Sequence, residues 1–202
     1  MESICKLRVL NVLRYGDNLV AIPSFMLHTL HNLEKLNVRR CGSVKEVVQL
    51  EELVDEESHA MALAKLREVQ LHDLPELTHL CKENFKRGPR FQNLETLEVW
   101  NCDCLISLGG YTFTFPSLDH LVVEECPKMK VFSQGFSTTP RLERVDVADN
   151  EWHWEGDLNT TIQKFFIQLH GGVHGFLSFD KLSIKLPMLL KRKVLSGKKY
   201  LK

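Results

Sequence analysis

The sequence predicts an α/β fold of the solenoid kind, a curved horseshoe with a parallel β-sheet on its concave face and short helices or irregular loops on its convex face. Three observations lead there. A nine-residue phrase recurs six times. Within it, apolar and variable positions alternate with the period of a strand. The copies begin at Leu7 (LRVLNVLRY), Leu33 (LEKLNVRRC), Leu66 (LREVQLHDL), Leu94 (LETLEVWNC), Leu118 (LDHLVVEEC) and Leu142 (LERVDVADN), at intervals of 26, 33, 28, 24 and 24 residues. Such intervals suit one turn of a coil rather than a separate domain.

The alternation assigns sides. Leu10 and Val12, Leu36 and Val38, Val69 and Leu71, Leu97 and Val99, Leu121 and Val123, and Val145 and Val147 are separated by variable residues, so they take the buried side of each strand. A strand this short is unstable alone. Stacked copies pair in parallel, and each return path closes a right-handed coil that buries the apolar positions against neighbouring coils. Three copies add a second apolar beat on the return: Val44 and Val47, Leu105 and Leu108, Met129 and Phe132. This is the pattern of leucine-rich repeats. The solenoid is expected over residues 1–163, followed by a basic, poorly ordered tail over 164–202.

Irregular spacing belongs on the convex side. Pro23 followed by Ser24-Phe25-Met26-Leu27-His28-Thr29-Leu30 predicts a short helix with Ser24 as its N-cap. The longest interval holds the acidic run Glu51-Glu52-Leu53-Val54-Asp55-Glu56-Glu57, expected as a bulge that contains or adjoins a helix. Lys86-Arg87-Gly88-Pro89, Gly109-Gly110 and Thr138-Thr139-Pro140 carry breaker residues and read as loops. Trp152, His153 and Trp154 follow the last copy, where a stack must shield its open end, and are expected to form a cap. Left exposed, the same tryptophans would anchor a partner.

Lys plus Arg equal Asp plus Glu at 26 each, so the whole chain offers no strong field to nucleic acid or an anionic membrane. The balance is uneven. Residues 170–202 carry eight basic residues against Asp180, a net of +7, which leaves residues 1–169 at −7. Charges interrupt the apolar residues of Met1–Arg8, so no secretory signal forms there. No apolar run approaches the ~20 residues that span a bilayer. A cytoplasmic protein without a membrane span is expected, with nuclear entry open to it through the basic segment Leu186–Lys193. Met1 stands almost on the first copy without a polar capping segment, so the chain reads as a fragment or a truncated product.

The six cysteines are scattered through a chain with ample apolar residues and read as reduced thiols. Cys41, Cys102 and Cys126 occupy one equivalent position at the turn leaving the strand, where a small buried side chain sits under the loop and donates weakly to backbone carbonyls. Leu74, Asn150 and Tyr15 fill that position in the other copies. Equivalent positions stack in a single column, which is wrong for a tetrahedral metal cage. His170-Gly171-Gly172-Val173-His174 echoes the zinc motif H-E-x-x-H but lacks its Glu, and two glycines oppose the helix it needs. No G-x-S-x-G elbow occurs. No catalytic residue, metal or cofactor is therefore expected, and the protein reads as a binding module rather than an enzyme.

Function is expected on the residues that alternate with the buried ones and face the concavity. Val9, Asn11 and Leu13 begin this ladder, followed by Lys35, Asn37 and Arg39; Glu68, Gln70 and His72; Thr96, Glu98 and Trp100; His120, Val122 and Glu124; and Arg144, Asp146 and Ala148. Its second rung is basic, helped by Arg40. Later rungs hold Glu68, Glu98, Glu124 and Asp146, extended by Asp73, Glu125 and Asp149. Such a gradient orients a partner and excludes wrongly charged ones more than it adds affinity. Trp100, an aromatic in mid-face, is the best single anchor.

Phe91-Gln92-Asn93-Leu94-Glu95-Thr96-Leu97-Glu98-Val99-Trp100-Asn101-Cys102, the phrase from Phe115 through Glu124-Glu125-Cys126-Pro127-Lys128-Met129 to Phe132, and the ending Trp152–Asn159 resemble the leucine-rich repeats of plant intracellular disease resistance proteins. The resemblance covers roughly residues 5–163. That family joins a coiled-coil segment, a nucleotide-binding domain and C-terminal repeats. Its repeats sense pathogen molecules or modified host proteins and restrain the nucleotide-binding domain until then. The resemblance thus implies protein partners: the nucleotide-binding domain of a resistance protein, a pathogen effector or a guarded host protein. It carries no nucleotide site onto this chain, which has no G-x-x-x-x-G-K-[ST] loop. Two other uses of a repeat module stay open, substrate recognition in a ubiquitin-ligase adaptor and a stand-alone interaction scaffold. The adaptor would need an upstream helical domain.

Overall fold

Six short strands, one from each phrase, lie side by side in one sheet. The computed structural model describes residues 4–14, 19–23, 26, 29–49, 63–81, 91–108, 114–133, 139–142, 145–146 and 152–171. The chain divides into two units, Met1–Gly171 and Gly172–Lys202, and every described residue lies in the first. Among the described residues, after a 3-10 turn at Ile4–Lys6, the elements are β1 (Val9–Leu13), β2 (Ile22–Pro23), β3 (Lys35–Arg39), β4 (Glu46–Gln49), β5 (Glu68–His72), β6 (His79–Cys81), β7 (Thr96–Trp100), β8 (His120–Glu124), β9 (Val145–Asp146), β10 (Trp152–His153) and the helix α1 (Leu158–Gly171).

The main sheet has the order β1-β3-β5-β7-β8-β9-β10. Its first six strands pair in parallel and in step: Leu36 sits beside Val69, Val69 beside Leu97, and Leu97 beside Leu121. Leu36, Val38, Val69, Leu71, Leu97, Val99, Leu121, Val123 and Val145 are buried, as the alternation requires. Leu33, Leu66, Leu94, Leu118 and Leu142 form a second buried file behind them. In the first coil, Leu7, Leu10 and Val12 are only partly buried, because β1 has a strand on one side alone. Val9 and Leu13 are exposed at this edge. Val147 lies outside the described residues.

Two kinds of turn recur among the described residues. Before the strand, the amides of Leu33, Leu66, Leu94, Leu118 and Leu142 bond the carbonyls of Leu30, Leu63, Phe91, Phe115 and Thr139, three residues back. After the strand, the amides of Leu77, Leu105 and Met129 bond the carbonyls of Leu74, Cys102 and Cys126 in the same way. Between strand and second turn stands one residue in the left-handed backbone region. Arg14, Arg40, Asp73, Asn101 and Glu125 have φ between 50° and 55° and occupy one equivalent position. This conformation costs a non-glycine residue on the order of 1–2 kcal/mol. It turns the chain inward, so that the next residue, Cys41, Leu74, Cys102 or Cys126, is buried. The thiols of Cys41, Cys102 and Cys126 then donate to the carbonyls of Arg39, Trp100 and Glu124 at 3.2–3.4 Å.

The return side differs in part from expectation. The second apolar beat is buried throughout, at Val44, Val47, Leu105, Leu108, Met129 and Phe132. In the first three coils, however, the return path is itself a strand, and β2, β4 and β6 form a second parallel sheet. These pieces are too short to show an alternation in the sequence. Bonds from Ile106 N to Thr78 O at 3.2 Å and from Leu108 N to Phe132 O at 2.9 Å carry similar contacts into later coils. Of the helix expected over Ser24–Leu30, residues 24, 25, 27 and 28 lie outside the described ones, and Leu30 N bonds Met26 O at 3.1 Å as one helical turn would. The acidic run 51–57, the loops 86–89 and 109–110, and Thr138 also lie outside the described residues.

Helix α1 packs against the far end of the core. β10 adds antiparallel to β9, after which Asp157 caps the helix: its Oδ1 accepts the Thr160 amide at 3.0 Å, and the Thr160 hydroxyl bonds its other oxygen. Leu158 and Ile162 enter the core. Asn159 binds the preceding coil through three hydrogen bonds, accepting from the amides of Phe132 and Ser133 and donating to the carbonyl of Ser133 at 2.9–3.1 Å. Of the residues expected to form a cap, Trp154 is 38% exposed, and the side chains of Trp152 and His153 lie outside the described ones. The position 163, where the solenoid is expected to end, falls inside this helix. The residues of the expected tail from 172 onward are not described.

Aromatic contacts join the later coils. Phe91 and Phe115 occupy the same position of successive coils and stack at 5.3 Å, and Phe132 meets Phe115 edge to face at 5.2 Å. All three are fully buried. Replacing the middle ring, Phe115→Ala, is expected to cost about 3–5 kcal/mol and to lower the thermal midpoint. The cap makes a separate forecast. Thr160 holds the Asp157 carboxyl below its ordinary range, so its stabilisation is present near neutral pH and is lost as pH falls through that lowered value. Asp157→Ala should cost about 1 kcal/mol at neutral pH. Thermal melts of wild type and variant should converge in acid.

Candidate functional site

Parallel pairing in step turns the alternate residues into columns. One runs Val9, Lys35, Glu68, Thr96, His120; the next runs Asn11, Asn37, Gln70, Glu98, Val122, Asp146; the third runs Leu13, Arg39, His72, Trp100, Glu124. Every proposed ladder residue among the described ones therefore lies on one sheet face. Arg144 and Ala148 fall outside the described residues. Neighbours within a column stand about 4.8 Å apart along the sheet, close enough for side chains to interact.

They do interact. Asn37 donates to Asn11 Oδ1 at 2.7 Å, Arg39 donates to Gln70, and Lys35 pairs with Glu68 at 2.6 Å. His72 and Trp100 stack with ring centroids 5.5 Å apart and planes within 5°. The face is less uniformly open than the alternation suggests: His72 is 7% exposed and Val122 6%, each covered by its neighbours. His72 Nε2 lies 3.7 Å from Glu98 Oε2, an ion-pair distance longer than a hydrogen bond. Contact with that imidazole, helped by His120 and Arg39, holds the Glu98 carboxyl below its ordinary range although burial pushes the other way. Glu98 is thus a fixed negative charge in mid-face.

Two further columns flank the ladder, and the sequence reading did not single out the first. At the edge where the strands begin, Arg8 pairs with Glu34 at 2.5 Å, and Arg67 grips Glu95 through three bonds of 2.7–3.2 Å. These residues directly precede their strands, so the charge alternation along that edge is visible in the sequence once the phrases are aligned. At the opposite edge stand the left-handed residues, with Arg40 3.5 Å from Asp73 and Asn101 donating to Asp73 at 2.7 Å. Both edges are exposed, and such solvent-screened pairs contribute little to stability.

The described residues hold no group of three His, Cys, Asp or Glu arranged to bind a metal ion. None of their helices is long and apolar enough to cross a membrane. What the ladder presents is a broad surface of charge, amide and aromatic groups. The state of Glu98 gives it a pH signature. A carboxyl with a lowered pKa stabilises the fold above its unfolded value and stops doing so as pH falls through the lowered one. Glu98→Gln is therefore expected to lower the thermal midpoint at neutral pH, with the gap closing in acid. A gap that stays constant with pH would contradict this assignment.

A family model described as plant disease resistance protein RPS2-like, leucine-rich repeats, matches residues 1–126. That span ends at Cys126 and takes in the first five phrases. No curated protein and no solved structure matches the chain. The matched region covers more than half of the chain and contains β1 to β8, with most of the ladder. By sequence and by architecture, the chain belongs to the RPS2-like leucine-rich repeats of plant disease resistance proteins and is a protein-interaction repeat module.

Proposed function

We propose that the concave ladder is the surface through which this module recognises its protein partners in plant innate immunity, restraining the nucleotide-binding domain of a resistance protein and sensing a pathogen effector or a guarded host protein. One observation carries the reading. Buried side-chain atoms lacking a hydrogen-bond partner among the described residues are Asn37 Oδ1, Arg39 Nε, His72 Nε2, Trp100 Nε1, Asp146 Oδ1, Glu46 Oε2 and Ser107 Oγ. The first five sit on the ladder. A buried polar group without any partner costs on the order of 1–3 kcal/mol, a cost that His72 Nε2 offsets in part through its 3.7 Å contact with Glu98. A core would eliminate such groups, whereas a binding face that rearranges around a partner recovers that cost on association. Cys5, Cys41, Cys102, Cys104 and Cys126 are free thiols, which accords with a reducing, cytoplasmic setting.

The test uses the full chain and the nucleotide-binding domain of a related resistance protein. Lys35→Glu combined with Arg39→Glu should weaken their association about tenfold or more. Lys45→Glu, an exposed reversal off the ladder, should leave it unchanged. No association, or equal effects of both reversals, would contradict the reading.

A further inference from the structure

We infer that the open edge of β1 is an interface with a second copy of this chain, the two β1 strands pairing antiparallel about a two-fold axis at Asn11. The inference stands apart from what the concave ladder recognises.

The edge is suited to pairing. The Arg8 carbonyl accepts the Lys35 amide at 2.9 Å, and the Arg14 amide donates to the Arg39 carbonyl at 3.1 Å, so Leu10 and Val12 between them also turn their backbone groups toward β3. Those of Val9, Asn11 and Leu13 therefore turn outward, where the main sheet has no further strand among the described residues. The strand carries none of the usual protections of an edge, since Val9-Leu10-Asn11-Val12-Leu13 holds neither a charge nor a proline. Val9 is 42% and Leu13 59% exposed, and Leu7, Leu10, Val12 and Leu19 behind them are only partly buried. Apolar surface continuous with the core thus reaches this edge.

The order of the side chains identifies the occupant. In either direction the strand presents two apolar residues, an amide and two apolar residues. An antiparallel copy centred on Asn11 therefore sets Val9 against Leu13, Leu10 against Val12, and Asn11 against itself. Every apolar residue meets an apolar one, and the pairs formed by Val9, Asn11 and Leu13 exchange both of their backbone hydrogen bonds. Asn11 suits the axis: its Oδ1 accepts from Asn37 at 2.7 Å, and its amide nitrogen, which has no partner among the described residues, can donate to the amide oxygen of the other copy. Arg8 comes opposite Arg14, but Glu34 already binds Arg8 and offsets the like charge. The sheet accepts an antiparallel strand at its other end too, where β10 adds to β9. Self-pairing of this kind is isologous and closes at two copies. With the axis normal to the sheet, Val9, Asn11 and Leu13 of both copies share one face. The two ladders then join, with the rungs of Lys35 and Arg39 on either side of the axis.

Sedimentation equilibrium of the full chain over a concentration series tests this. An equilibrium between monomer and dimer is expected, with a dissociation constant in the range of about 1–100 µM. Leu13→Lys should weaken the dimer about tenfold or more, because it sets an ammonium against Val9 of the other copy. Adding Val9→Glu to Leu13→Lys sets opposite charges against each other in this register and should restore most of the affinity, which separates loss of the contact from loss of fold. Ile106→Lys removes an exposed apolar side chain from the return side and should leave the equilibrium unchanged. A chain that stays monomeric at about 1 mM overturns the inference, even if an extended peptide of another protein adds to the edge. So does a dimer indifferent to Leu13→Lys, one weakened equally by Ile106→Lys, or a charge pair that fails to restore association.

Discussion

A five-residue strand leaves amides and carbonyls unpaired along both edges, and in the stack it is the equivalent strand of the next coil that satisfies them. The pairing must also be in step, because a slip of one residue would turn Leu97 and Val99 outward and Glu98 into the core. Most other features follow from that demand. Equivalent residues become columns, so the leucines, the phenylalanines, the thiols and the ladder residues each repeat along the stack. The left-handed residues belong to the same arrangement. The amides of Arg40, Asp73 and Asn101 extend the ladder by one bond each, to the carbonyls of His72, Trp100 and Glu124 at 3.0 Å. That bond and the burial of the following Cys or Leu offset the cost of the backbone conformation. Asp73 and Asn101 tolerate it best, since short polar side chains suit the left-handed region.

The inward positions, the buried beat on the return and the role of the cysteines were legible in the sequence because each repeats at a fixed offset from the strand. So were the three ladder columns, since alternation assigns them once the strands are placed. The second sheet was hidden: Ile22–Pro23 and His79–Cys81 are too short to display a period, and their pairing depends on neighbouring coils. Helix α1 was missed for another reason. Thr160, Thr161 and Ile162 are β-branched and lower helix propensity, and the signal lay instead in Asp157 standing three residues before Thr160. The burial of His72 and Val122 was equally out of reach, because it comes from side chains on adjacent strands whose conformations no sequence pattern encodes.

The charge gradient of the ladder survives in altered form. Several of its basic groups are already engaged, Lys35 by Glu68 and Arg40 by Asp73, so the basic end presents less charge than its residue count suggests. The acidic end is the more sharply defined, because Glu98 is held ionised within the sheet face and stands beside the one aromatic of the ladder. A repeat module reads a partner through differences of this kind between successive rungs. Here the rungs differ in charge and shape while the backbone beneath them stays constant.

All of this depends on strands that pair in step across successive coils, and hydrogen-bond scalar couplings measured by NMR on the isotope-labelled chain test that directly. The account predicts couplings from the Arg40 amide to the His72 carbonyl, from Asp73 to Trp100 and from Asn101 to Glu124, with slow amide exchange at each. Couplings to carbonyls displaced by one or two residues, or rapid exchange at all three amides, would contradict the columns on which the proposed binding face rests.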